Sequence, residues 1–270
     1  MLFTTNGLVV RSYRSGNSDR VVHILTEDRG RLTVMIKGGA SKRGVAAAAC
    51  TQLFTYGNFE LYQKREGDMC WFRGGSVLTP FYELSENITS MALATYMCDV
   101  AADLTPEGTD ETNGHMLLTD LLNSLYVLSQ EAKSPTLVKA VFEFRAASIM
   151  GFCPDLWGCS LCGEPNPENA YLEVASGRLI CADCQTKRNR IRDVANGEEA
   201  LRGGNALCPI SSSVLAALRF LLEVPPKRIF SFSLKDGEEE RFLERATETY
   251  LLSQMEREFE TLHFYRSVTI

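Results

Sequence analysis

Two Cys-x-x-Cys pairs, Cys159-Ser-Leu-Cys162 and Cys181-Ala-Asp-Cys184, stand 18 residues apart, and this spacing constrains the chain more than any other feature. Zinc bound by thiolates takes four of them in a tetrahedron at ~2.3 Å, and a Cys-x-x-Cys turn aims two sulfurs at one point. An interval of about 15–20 residues between two such pairs is the four-cysteine zinc pattern. Tyr171 to Val174 and Arg178 to Ile180 read as strands joined by Ala175-Ser176-Gly177, a hairpin that brings the two turns together. Gly163 can take the positive φ that lets backbone N–H groups approach the sulfurs.

Cys159, Cys162, Cys181 and Cys184 are therefore expected to hold one structural Zn2+. With every position a thiolate there is no open coordination site, which argues against hydrolytic chemistry. A mononuclear iron or iron–sulfur site uses the same ligands, and the colour of the protein separates the two. A redox-active pair sits after a strand at a helix start, and neither pair reads that way. The formal charge of the tetrathiolate can be offset by Arg178, Lys187, Arg188 and Arg190 nearby in sequence.

The other five cysteines, Cys50, Cys70, Cys98, Cys153 and Cys208, are scattered, and nine in all fits a reducing compartment with one metal site. We expect them to be small buried apolar residues. No leader-like segment opens the chain, and no apolar run reaches the ~18 residues that would span a bilayer. A soluble, cytoplasmic protein without membrane contact is expected, and 270 residues can bury a core without disulfides.

Net charge is −6, which by itself argues against a nucleic-acid partner. The average conceals an asymmetry: residues 1–80 carry 11 Lys and Arg against 6 Asp and Glu, whereas residues 81–270 carry 17 against 28. A basic amino-terminal module thus precedes an acidic body.

The basic module, residues 1–80, has a period of two. Leu8 to Val10, Val21 to Leu25, Leu32 to Ile36, Phe54 to Tyr62 and Cys70 to Leu78 are short runs rich in β-branched and aromatic residues, separated by turn signals. Five such strands suit a small closed barrel, OB-fold or SH3-like. From Pro80 the period becomes about 3.6. Ser85 to Leu104, Asn113 to Leu128, Ser134 to Met150, Ser211 to Leu222 and Asp236 to about Glu260 read as helices, the last with Asp236 and Glu239 as a capping pair. The expected architecture is α+β: the barrel at 1–80, then a helical domain at 81–270 carrying the cysteine module as an insertion at about 153–192.

Phosphate recognition needs cations for attraction and glycines for close backbone approach. Lys37-Gly-Gly-Ala-Ser-Lys42-Arg43-Gly44 combines three of each. Arg11, Arg14, Arg20 and Arg31 lie in the same module among Tyr13, Phe54, Tyr56, Phe59 and Tyr62, of which at least three are expected in the barrel core. Lys187, Arg188 and Arg190 are a second candidate phosphate contact, competing with charge compensation at the cysteines. No acid, base and nucleophile assemble from the three separate histidines or from any catalytic motif, so no enzymatic activity is expected.

Gly7-Leu-Val-Val-Arg-Ser-Tyr-Arg14, Val22-His-Ile-Leu-Thr-Glu-Asp-Arg-Gly-Arg31, Lys37-Gly-Gly-Ala-Ser-Lys42 and Gly151-Phe-Cys-Pro-Asp-Leu156 resemble the bacterial RecO family of recombination mediator and DNA repair proteins. The resemblance covers the order of modules along nearly the whole chain. It implies an OB-fold that binds single- and double-stranded DNA and a helical domain with a four-cysteine zinc site. It also implies annealing of complementary strands, and loading of RecA with the partner RecR onto DNA coated by the single-stranded-DNA-binding protein SSB. SSB would be engaged through its carboxy-terminal tail, and the protein would act at the nucleoid. DNA contact is carried over to the basic positions above, Lys37, Lys42 and Arg43 foremost. The competing expectation is a zinc-stabilised protein-interaction scaffold that does not touch DNA.

Overall fold

In a computed structural model, the structure describes residues 1–15, 19–38, 49–65, 67–106, 111–195 and 206–269. Lys42 and Arg43 lie outside the described residues. Packing divides the chain into two compact units, Met1–Pro135 with Phe259–Ile270, and Thr136–Glu258.

The first unit begins with a closed barrel of β1 (Leu2–Ser15), β2 (Asp19–Thr26), β3 (Arg31–Ile36), β4 (Tyr56–Tyr62) and β5 (Cys70–Thr79). The strand order is β1-β2-β3-β5-β4, with β4 returning to β1 and β3 parallel to β5, which is an OB-fold rather than an SH3-like barrel. Closure rests on the length of β1, whose first half pairs with β4 and whose second half pairs with β2. The handover falls at Gly7, where a Cβ would lie 2.7 Å from Ile24 Cγ2 and from the Leu25 carbonyl, so only glycine fits. Alternation sends Val9, Val22, Ile24, Val34, Ile36, Phe59 and Leu61 into the barrel interior. Of the five aromatics singled out in the basic module, only Phe54 and Phe59 are buried, fewer than the three expected; Tyr56 is half-buried with its hydroxyl on Glu27, and Tyr13 and Tyr62 stay exposed.

Helix α1 (Ile88–Leu104) follows, capped by the Asn87 side chain, which accepts from Thr89 N and Ser90 N. It is buried on most of its surface. Helix α2 (Glu111–Ser129) and the last helix of the chain pack in the same unit. That last helix corrects one expectation. The helix opened by Asp236 stops at Met255, because Glu256 turns left-handed (φ 48°), and a separate helix runs over Glu260–Val268. Phe259, 2% exposed, anchors the restart against Tyr96 on α1, with ring centroids 5.7 Å apart.

The second unit holds most of α3 (Pro135–Ile149), then β6 (Asn169–Glu173), β7 (Arg178–Cys181), α4 (Ala182–Ala195), β8 (Leu207–Ser211), α5 (Ser212–Glu223) and α6 (Gly237–Met255). The Glu260–Val268 helix of the first unit is then α7. The hairpin β6–β7 forms as the sequence predicts, but β8 adds to β6 as a third strand in the order β7-β6-β8. Ser211 caps α5 by accepting from Val214 N, and Asp236 caps α6 by accepting from Glu238 N and Glu239 N. A buried ion cluster joins α3 to α6: Lys139 Nζ lies 3.0 Å from Glu143, 3.4 Å from Glu244 and 2.7 Å from Glu248. Among the described residues no helix is long and apolar enough to cross a membrane.

Candidate metal centre and nucleic-acid interface

The hairpin brings the four cysteines together, and their sulfurs all lie within 4.8 Å of one another. Four thiolates at ~2.3 Å from a central ion would stand about 3.8 Å apart by tetrahedral geometry; Cys162 Sγ and Cys181 Sγ are 3.7 Å apart. The first turn is tied down by Cys159 N to Glu164 O, Gly163 N to Cys159 O and Ser160 N to Leu179 O on β7. Gly163 has the expected positive φ of 78°, although its own N–H serves the Cys159 carbonyl and not a sulfur. The sulfurs are approached instead by Cys181 N, 3.3 Å from Cys159 Sγ, and Cys184 N, 3.4 Å from Cys181 Sγ.

Burial pushes the Cys159 thiol up, but the N–H groups of Cys181, Leu161 and Cys162 outweigh it and bring that thiol down to about 6. Its neighbours cannot follow: the sulfurs of Cys162 and Cys181 push Cys184 up to about 12, and burial raises Cys181. Four thiolates side by side need a cation to neutralise them, and metal binding releases the protons. The cluster thus fits a soft divalent ion. Among the described residues it is the one group with metal-ligand geometry.

Two sequence-based expectations about cysteines are corrected. Cys181 ends β7 and Cys184 falls in the first turn of α4, so the second pair does sit between a strand and a helix start. It is nevertheless one half of a four-sulfur cluster and not an isolated redox pair. Among the scattered cysteines, Cys50, Cys70, Cys98 and Cys208 are buried, but Cys153 is exposed in the loop after α3.

The basic residues of the barrel divide into two groups. Arg11 is committed to α1: its Nε donates to Asp99 Oδ1 (2.7 Å), and its Nη2 to Asp103 Oδ1 (2.7 Å) and the Asp99 carbonyl (3.0 Å). Thr261 on α7 donates to the other Asp99 oxygen, so this ion cluster ties barrel, α1 and the last helix. Arg31 is also engaged, with Nε on the Thr105 carbonyl at 2.8 Å and Nη1 against His23 Nδ1 at 2.9 Å.

Arg14, Arg20 and Lys37 gather where the β1–β2 and β4–β5 connections and the chain leaving β3 all open. Arg14 lies directly opposite Arg20 in the β1–β2 ladder, and neither forms an ion pair among the described residues. Like charges facing each other across two strands destabilise a sheet, so an anion supplied from outside is the natural complement. Lys64 and Arg65, exposed in the β4–β5 connection, and Arg73 on β5 add to the same end. Sequence reasoning missed these three, and Trp71 with them. The signal was present in Cys70-Trp71-Phe72-Arg73, whose alternation puts Trp71 and Arg73 on one face. In the other candidate stretch, Lys187 and Arg190 are exposed on α4, while Arg188 pairs with Glu173 at 3.0 Å.

An OB barrel with cations at its loop end, followed by helices and a four-cysteine module, defines a modular protein of the α+β class. Comparison with known proteins makes the class specific. The family profile described as "Recombination protein O N terminal" matches residues 1–81, and "Recombination protein O C terminal" matches residues 85–263. The DNA repair protein RecO of Acetivibrio thermocellus is 25% identical over 264 residues, covering 98% of this chain and 96% of that protein. Those of Symbiobacterium thermophilum and Desulforudis audaxviator are 28% and 29% identical, each covering at least 97% of this chain and 96% of the relative. The chain belongs to the recombination protein O family of DNA repair proteins.

Proposed function

We propose that the protein is a non-enzymatic recombination mediator that binds single- and double-stranded DNA, anneals complementary strands and helps load RecA, with RecR, onto SSB-coated DNA. The observation that carries this reading is the facing pair Arg14 and Arg20, without an acidic partner among the described residues, at the end of the barrel from which the ligand-binding loops of OB-folds emerge. Lys37 and the exposed β4–β5 cations extend that end, while Arg11 and Arg31 hold the barrel to its helices. Lys187 and Arg190 form a separate and smaller positive feature. The acidic remainder of the chain is read as the protein-docking part, for RecR and for the SSB carboxy-terminal tail, in a cytoplasmic protein acting at the nucleoid.

The cysteine cluster is read as a structural Zn2+ site. Cys159, Cys162, Cys181 and Cys184 would hold the ion, leaving it no open position and hence no catalytic chemistry. Its contribution is to fix the β6–β7 hairpin and the start of α4.

Binding of fluorescent oligonucleotides across a range of salt tests the reading. Wild type is expected to bind with a steep salt dependence, and Arg14→Ala/Arg20→Ala to flatten the slope of log K against log salt by roughly 1.4 on single strands, two phosphate contacts at about 0.7 each. Absence of binding at low salt would favour a zinc-stabilised protein scaffold, which the −11 of residues 81–270 would suit.

A further inference from the structure

Following the strand partners across the barrel traces a row of outward-facing residues that winds from near the end of β1 back to its start. Tyr13 lies opposite Val21, Val21 opposite Met35, Met35 opposite Trp71, Trp71 opposite Tyr62, and Tyr62 opposite Leu2 at the start of β1. Val22, Val34, Cys70 and Leu61, the chain neighbours of Val21, Met35, Trp71 and Tyr62, are all buried inside, which fixes the outer face for these four positions. The row is apolar or aromatic at every position yet accessible: Leu2 is 58% exposed, Tyr13 49% and Tyr62 36%. Cross-strand pairs of this kind add only a few tenths to about 1 kcal/mol each to a sheet, and accessible aromatic residues beside cations suit a recognition surface.

Two of its rings are capped. Lys37 Nζ stands 4.7 Å from the centroid of Trp71, and Arg73 Cζ 5.2 Å from that of Tyr62. Trp71 and Tyr62 are cross-strand partners, so the capped rings are neighbours. Lys37 and Arg73 are both exposed, and neither forms an ion pair among the described residues. Each cation therefore rests on a ring face that a nucleobase would use.

We propose that Trp71 and Tyr62 form a base-stacking platform that Lys37 and Arg73 cover in the free protein, and that single-stranded DNA opens it by exchange. Each base takes a ring face and each cation swings to a flanking phosphate. Stacking on an aromatic is worth more than an exposed cation–π contact, and the cation regains a charge partner, so the exchange favours binding. A duplex keeps its base faces stacked and can offer this end phosphates only. The platform thus makes the barrel prefer single strands, while Arg14 and Arg20 attract both forms. This inference rests on the DNA-binding reading above.

The test uses the full chain with Trp157→Phe, which leaves Trp71 as the one tryptophan of two. Trp71 emission is expected to change on titration with an oligothymidylate and to change little with a duplex of equal length. Trp71→Ala should weaken single-strand binding about tenfold or more, and duplex binding less than about twofold, with the salt slope kept. Trp71→Phe should restore most of the affinity, separating stacking from loss of folding, and Lys37→Met should lower the single-strand salt slope by about 0.7. Equal losses on single strand and duplex in a folded Trp71→Ala protein would overturn the platform and leave DNA binding standing. So would oligothymidylate binding without an emission change. Binding to neither oligonucleotide would remove both readings.

Discussion

Arg11 and Arg14 lie three residues apart on β1 and should behave in opposite ways. Arg11→Ala removes three charge-assisted contacts to Asp99 and Asp103, at 2.7, 2.7 and 3.0 Å. It also takes their shared cation from two carboxylates one helical turn apart, whose mutual repulsion is then less offset. Breaking a fully buried pair from one side costs about 3–5 kcal/mol. Here the three side chains retain 16%, 22% and 12% of their exposure, so entering water recovers part of that cost. We expect a loss of about 2–3 kcal/mol, below the fully buried range, and a fall in the melting temperature of roughly 5–10 °C for a unit of this size. Thermal unfolding followed by circular dichroism measures the first effect. A salt titration of oligonucleotide binding, run well below the transition, should find the slope unchanged. Arg14→Ala should do the reverse, sparing the melting temperature and flattening the slope by about 0.7 on single strands. If Arg11→Ala melts like wild type and flattens the slope, its ion pairs are incidental, and the division of the barrel arginines into structural and DNA-facing sets is wrong.

Cys181→Ser should reduce bound zinc from one equivalent and destabilise the second unit, with DNA binding affected only as a consequence; metal content and proteolytic sensitivity report on this, and a folded, zinc-loaded mutant that fails to anneal would contradict it. Lys139→Met should cost about 3 kcal/mol, because it removes a buried charge that lies 3.0 Å from the fully buried Glu143; urea unfolding within error of wild type would refute the assigned importance of the cluster. Gly7→Ala should destabilise the barrel by about 1–3 kcal/mol, since its Cβ meets a backbone carbonyl at 2.7 Å, and an unchanged unfolding midpoint would show that the strands can shift apart there.

The parts of the structure that were legible in the sequence share a local cause. Cysteine spacing reports the tetrathiolate cluster because each turn positions its own two sulfurs, and period-two runs report the barrel because every strand has one wet and one dry face. Asp236 was readable as a cap because capping is decided within three residues. What was hidden depends on distant packing or on conflicting local signals. β8 contains Pro209, which argues against a strand, yet β8 lies at the edge of its sheet, where a missing N–H is tolerated. Helix α4, from Ala182 through Lys187 and Arg190, is too polar to show an apolar period. The break at Glu256 has no glycine or proline to announce it; it is imposed by the burial of Phe259 in the first unit. Arg11 looked like Arg14 because nothing local shows that Asp99 and Asp103, about 90 residues later, face β1.

The central claim is that the cationic, aromatic end of the barrel holds single strands while complementary partners are brought together. It is tested most directly by the rate at which complementary strands coated with SSB anneal. Wild type is expected to accelerate annealing, and a folded Arg14→Ala/Arg20→Ala/Trp71→Ala protein to lose most of that acceleration. No acceleration by wild type, or undiminished acceleration by the triple variant, would contradict the account.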